Sequence, residues 1–400
     1  MNLALYIHIP YCAKKCPYCD FNSYAVSKAE LDKQEENYTE SLIKEYNHWL
    51  PTLEEPNVSI SSIFFGGGTP SLFSENSISR ILEAIQTSAT FSSDIEVTLE
   101  ANPGSIDEPL AVEKLKKFKS AGVNRISMGC QSFSDKKLKF LGRLHTSEQS
   151  EKAISNILDA GFKNLNLDLM FGVKGETKEE WVSDLEKALS FDTPHISAYN
   201  LTIEPGTEFG VQSKKGFILT AGEEIESTLY LQTQDILEKA GLSQYELSNY
   251  AKTNKTCRHN LTYWSRKPYL GLGAGAHSFA NFKQSQSAFE SESSDYGTRW
   301  WNTPGPAQYL DSINNKGQAV SKSEQIDLKQ FQIEKVFLGT RTRFGFSLDE
   351  LKLINNENLK STAQELEQLG LVSLQDSVCT TTRKGMLFAN SIAEKLVQAL

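Results

Sequence analysis

The chain has 400 residues, 39% hydrophobic and 23% charged, with 25 glycines and 12 prolines, an ordinary globular composition that excludes a disordered, collagen-like or disulfide-stapled small protein. Lys and Arg number 41 against 50 Asp and Glu, a formal charge of −9, which disfavours a nucleic-acid partner. No uninterrupted apolar run reaches the roughly 18 residues that span a bilayer, and the N-terminal stretch lacks a basic region and a small-residue cleavage site, so it reads as a first strand of a cytoplasmic protein.

In chain order, β-rich runs fall at residues 3–9, 62–65, 95–100, 125–128, 164–171, 195–201 and 243–247. Amphipathic helical stretches lie between them at 40–50, 77–87, 108–120, 147–160 and 178–189. Regular strand–helix alternation predicts an α/β fold, a parallel sheet covered by helices. About six units over residues 1–250 predict a partial (β/α)6 TIM-like barrel. Several strands end in polar or glycine-rich residues: Gly66-Gly67-Gly68-Thr69-Pro70, Glu100-Ala101-Asn102-Pro103, Gly129-Cys130-Gln131-Ser132, and Asp168 near Gly172. Active sites of parallel barrels sit at the carboxyl ends of the strands, so these clusters are read as one rim. Residues 251–322 read as a connector, irregular over 280–305 and rich there in Ser, Asn, Gln and aromatics. Residues 323–400 predict a small winged-helix-like α+β domain, with helices over 323–338, 348–354 and 359–369, a strand pair near 372–382 and a final helix. In an acidic chain this domain reads as an interaction or lid module rather than a DNA binder.

Three of the six cysteines, Cys12, Cys16 and Cys19, follow the first strand within one short loop. In a reducing compartment such spacing points to metal or cluster ligation rather than disulfides. Three buried or surface thiols are the bland alternative. A structural zinc ion would need a fourth ligand, and the nearby His8 lies back in the strand. A 4Fe–4S cluster on three thiolates keeps one iron open to a substrate.

The loop resembles the CxxxCxxC signature of the radical S-adenosylmethionine (SAM) superfamily, including the aromatic Tyr18 before the last cysteine. The resemblance implies a 4Fe–4S cluster on Cys12, Cys16 and Cys19 whose open iron chelates SAM, and whose electron cleaves it to methionine and a 5′-deoxyadenosyl radical. The Gly66–Pro70 segment is similar to the superfamily's GGGTP motif, which implies that Gly67, Gly68 and Thr69 approach the methionine moiety and offer amide donors. By the same resemblance Tyr6 and Glu100 contact SAM, and Gln131, Arg143 and Asp168 match positions that contact a second SAM in coproporphyrinogen-oxidising members.

Within the superfamily the chain looks most like the HemN/HemW group, which joins the oxygen-independent coproporphyrinogen III oxidases to related heme chaperones. The runs Tyr6-Ile7-His8-Ile9-Pro10, Leu167-Asp168-Leu169-Met170-Phe171-Gly172 and Leu201-Thr202-Ile203-Glu204-Pro205-Gly206-Thr207 carry this likeness. The oxidases have a fourth cysteine two residues after the third, and Phe21 stands there in this chain. His259-Asn260-Leu261-Thr262-Tyr263-Trp264 matches the HNxxYW motif that the chaperone branch associates with heme. An imidazole can ligate heme iron beside flat aromatic rings, which makes His259 the candidate heme residue, with Cys257 and His277 as alternatives. From the bare residues, a His packed in a small aromatic cluster is the competing reading. The glycine-rich run 269–278 does not fit a nucleotide fingerprint. The resemblance therefore implies a heme chaperone that binds a 4Fe–4S cluster, SAM and heme. It would deliver heme to recipients such as respiratory enzymes and visit membranes only transiently, through a protein partner. The alternative it leaves is oxidative decarboxylation of coproporphyrinogen III.

Overall fold

The computed structural model describes residues 2–53, 58–106, 110–281, 295–351 and 357–400. Six parallel strands follow the chain: β1 (Asn2–Ile9), β2 (Ser59–Gly67), β3 (Thr90–Ala101), β4 (Arg125–Gln131), β5 (Leu165–Phe171) and β6 (His195–Asn200), adjacent in that order in one open sheet. Helices Lys28–Trp49, Glu75–Ser88, Ala111–Ser120, Ser147–Asp159, Lys178–Leu189 and Glu223–Lys239 accompany them. β1, β4 and β5 are buried almost throughout, as parallel strands sandwiched between helices and an interior must be, while β3 is buried only in its second half. The helices begin where the sequence supplies caps. Ser27, Thr146 and Thr177 each accept an amide three residues on, and Glu30, Gln149 and Glu180 reach back. The first helix is twice as long as its apolar periodicity predicts, because its first half is mostly polar and buries only Leu31, Glu35 and Tyr38.

Among the described residues, the expected connector contributes four strands to the large sheet, with helices Arg258–Trp264 and Pro306–Lys316 beside them. Tyr269–Leu272 pairs parallel to β1, and His277–Ala280, Thr298–Asn302 and Val320–Gln325 continue antiparallel beyond it. Residues 282–294 of the expected irregular stretch lie outside the described residues. At the other edge Asn249–Ala251 runs antiparallel to β6, and Ser243–Gln244 antiparallel to Asn249–Ala251.

The last domain has a core of its own around Val336, Leu359, Leu366, Val372, Ile392 and Leu396. Its helices Leu328–Gly339 and Glu357–Gln368 precede a wing, Val372–Gln375 with Val378–Thr381, to which Phe346–Ser347 adds a third strand. The first helix starts at 328 rather than 323, because Asp327 with Gln330 forms a capping box and the preceding residues join the large sheet. A 3-10 turn, Asp349–Leu351, stands where a helix over 348–354 is predicted, and residues 352–356 lie outside the described residues. Backbone bonds from Leu247 N to Arg341 O and from Arg343 N to Tyr245 O, each 3.1 Å, and the Arg383–Asp235 ion pair dock this domain on the barrel. Among the described residues no helix is long and apolar enough to cross a membrane.

Candidate functional site

A cleft of about 760 Å³ opens at the carboxyl ends of the parallel strands and reaches into the barrel interior. Its volume lies in the usual range for small-molecule and cofactor sites. All three loop cysteines line it, partly exposed and unoxidised. The loop closes on itself where Tyr11–Cys12 bridges Tyr24–Ala25 and Val26 N donates to Cys12 O at 2.9 Å. Phe209 N donates to Pro17 O at 2.8 Å. Pro17 packs so tightly on Gly142, at φ +69°, that a Cβ there would sit 2.5 Å from the proline ring. Asn22 ties the far side of the loop to Ala274 O and Pro304 O, each at 2.9 Å.

Two donors are directed at the thiols. Thr69 Oγ1 lies 3.6 Å from Cys12 Sγ, and Arg143 Nη1 lies 3.5 Å from Cys16 Sγ. Asn102 joins them, donating to Thr69 Oγ1 at 2.7 Å and accepting from Arg143, whose Nη2 also reaches Gly129 O at 2.9 Å. Arg143 is therefore no surface charge. His8 is not poised as a fourth ligand, since its nitrogens are held by Tyr6 Oη at 2.9 Å and Asn22 O at 2.8 Å. Among the described residues no group of three or more His, Cys, Asp or Glu is arranged to hold a single metal ion.

Tyr6, Tyr18, Gly67, Gly68, Thr69, Glu100, Gln131, Arg143 and Asp168 all line this cleft. The amides of the glycine motif also have partners within the chain. Gly67 N donates to Glu100 Oε2 at 3.1 Å, Gly68 N to Ile9 O and Thr69 N to Tyr11 O, each of these two at 2.8 Å, so the amides expected to face a ligand are engaged within the chain. The glycines are also needed for close packing. A Cβ on Gly67, at φ +113°, would lie 2.5 Å from the His8 ring, and one on Gly68 2.5 Å from Tyr11 O. Gln131 holds a left-handed φ of +67°, rare for a non-glycine residue and typical of functional rims.

Below the rim the interior is polar. Asp168 accepts from Asn166 at 2.8 Å and from Ser127 at 3.3 Å. Burial raises its carboxyl above the ordinary range, and Glu100 is pushed up to about 8, by burial first and then by the charge of Asp168. Arg125, at the start of β4, is only 2% exposed and lines the cleft floor.

The HNxxYW segment is the helix Arg258–Trp264, set against this floor. Glu96 accepts from Arg258 N and His259 N, each at 3.2 Å, and from Cys257 Sγ at 3.4 Å. Tyr263 and Asn260 face the cleft, but His259 does not. Its ring is 1% exposed, stacked on Phe64 at 5.1 Å, with Nδ1 on Ser62 Oγ at 3.0 Å and Nε2 on Tyr263 Oη at 2.7 Å. Burial lowers its pKa to about 3. His259 thus lies behind Tyr263 rather than on the cleft surface, with both ring nitrogens hydrogen-bonded. Cys257 is buried too. His277 does line the cleft, exposed, with its ring stacked 5.4 Å from Trp301. Phe21 is 61% exposed at the cleft mouth. Asn22, Arg125 and Asn166 are cleft residues that motif reading missed; for the last two, the signal is polar residues at alternate positions of otherwise apolar strands.

The family model described as the Radical SAM superfamily matches residues 6–188. The fold is similar to that of the coproporphyrinogen III oxidase HemN from Escherichia coli, a radical SAM enzyme, with a TM-score of 0.79 over 100% of this chain and 91% of that one at 20% identity. Among curated proteins the chain is 34% identical to the heme chaperone HemW of Bacillus subtilis over 97% of both chains. It is 43% identical to that of Haemophilus influenzae over 70% of this chain and 71% of the relative. The chain belongs to the HemW family of the radical SAM superfamily.

Proposed function

We propose that the protein is a heme chaperone, holding a 4Fe–4S cluster, SAM and heme in the cleft and passing heme to recipients such as respiratory enzymes. The observation that carries this reading is the full-length match to HemW proteins. The donor set fits the cluster: three part-exposed thiols on one pinned loop, with Arg143 and Thr69 donating to two of them. Cys12, Cys16 and Cys19 would hold it, and when bound it supplies an open iron for SAM and one-electron reducing power. Tyr6, Glu100, Gln131 and Asp168, on β1, β3, β4 and β5 around that loop, would bind and orient SAM. The Tyr18 ring, packed 6.5 Å from Phe209, closes one wall.

Heme is cargo here. Lys14 and Lys15 on the cysteine loop offer cations for its propionates, and His277 on Trp301 offers an exposed imidazole beside a flat ring. His259 supports Tyr263 from below, so iron ligation at rest falls to His277. The protein would work in the cytoplasm and reach membranes through a protein partner. The oxidase reading shares the fold, which by itself carries no activity, and Phe21 stands in place of its fourth cysteine.

The test is anaerobic. The cluster-reconstituted protein is titrated with hemin, then given SAM, a strong reductant and coproporphyrinogen III. Saturable one-to-one heme binding without decarboxylated porphyrin supports the proposal. Protoporphyrinogen IX formed over many turnovers, or no saturable heme binding, overturns it.

A further inference from the structure

Arg125 is a buried cation at the cleft floor whose charged form is favoured by the nearby Glu96 and Asp168, yet among the described residues it makes no direct ion pair. Its Nε is buried without a hydrogen-bond partner, and Nη1 meets only Thr98 Oγ1, at 3.4 Å. Among the described residues no carboxylate lies within 4 Å of it in an ion pair, unlike Lys137, which is equally buried but paired with Glu176 and Asp184. The acids around Arg125 are engaged elsewhere. Glu96 accepts from the amides of Arg258 and His259, Asp168 from Asn166 and Ser127, and Glu100 from Gly67 N. A buried guanidinium whose hydrogen-bonding positions are left unfilled is costly in a protein interior, and this one borders the cavity.

We infer that Arg125 is the receptor for a carboxylate of the bound ligand, at the floor of the cleft. The guanidinium fork matches a carboxylate in a bidentate pair. Two sources share this chemistry: a porphyrin propionate, which rests on the heme reading, and the aminoacyl carboxylate of SAM, which does not.

The experiment uses the full-length, cluster-reconstituted protein and two ligand pairs: hemin with its dimethyl ester, and SAM with decarboxylated SAM. The wild type is expected to favour one carboxylate form over its neutral partner by roughly 10-fold or more, the strength of a hydrogen-bonded charge pair. In Arg125→Gln that ratio falls towards one. In Arg125→Lys, which keeps the charge but loses the fork, it falls by less. Collapse of the hemin ratio assigns the propionate, and collapse of the SAM ratio assigns the amino acid. Ratios unchanged in both pairs overturn the inference. If Arg125→Gln does not fold, the wild type and Arg125→Lys decide it: no preference in the wild type, or an identical preference in Arg125→Lys, overturns it. Absence of binding by either heme form refutes the heme reading alone and leaves the SAM pair as the test of Arg125.

Discussion

Replacing His259 by Ala separates a packed histidine from an iron ligand. The imidazole contributes a ring to the stack on Phe64 and partners to Ser62 Oγ and Tyr263 Oη. Deleting a fully buried aromatic ring costs about 3–5 kcal/mol through lost transfer energy and the cavity left behind. Each buried hydroxyl stripped of its partner costs about 1–3 kcal/mol more, in part the same loss counted again. His259→Ala should therefore destabilise by about 3–5 kcal/mol, while the exposed His277→Ala should stay within about 1 kcal/mol. Urea unfolding of both variants, read as a shift in midpoint at unchanged slope, measures this. A His259→Ala protein as stable as the wild type, with heme binding lost, would refute the packing argument and restore His259 as the ligand. The account instead expects His277→Ala to change the heme spectrum of a protein that remains fully folded.

Glu100, whose pKa rises to about 8 on folding against about 4.3 in an unfolded chain, binds its proton more tightly in the native state. Its contribution to stability is complete below the unfolded value and is lost as pH rises towards 8. The ligand-free wild type should thus lose more stability than Glu100→Gln between pH 5 and pH 8, and parallel stability curves would contradict this. His259 titrates the other way: with a native pKa of about 3, its contribution is complete above the unfolded value of about 6.5 and is lost as pH falls towards 3. Gly67→Ala combines a positive φ with a clash against His8 and should destabilise by about 2–5 kcal/mol. Gly104→Ala, with open space at its Cβ, should stay within about 0.5 kcal/mol by the same urea assay.

The barrel was legible because its strands and helices alternate with clear periodicity, and the cysteine loop because three thiols in eight residues have few other uses. What the sequence hid was contact across the fold. The strand Thr298–Asn302 looked irregular because its short polar and aromatic run has no apolar alternation, although it pairs on both sides and buries Trp300 in the core. The glycines at 67 and 68 announced a special backbone, but only packing shows that its amides serve Glu100 and β1. His259 carried a motif whose local sequence says nothing about which side of the floor its ring takes. Arg125 opens β4 beside apolar residues, and that isolation in an inward-facing position was the available sign of a buried charge.

The central claim, that heme held in the cleft is handed to a recipient, is tested most directly by stopped-flow transfer. The protein loaded with one equivalent of heme is mixed with increasing concentrations of the apo form of a heme-requiring respiratory enzyme, with apomyoglobin as scavenger in parallel. The account predicts a transfer rate that rises with acceptor concentration and exceeds the rate of heme loss to apomyoglobin. A rate independent of acceptor and equal to passive loss would contradict it.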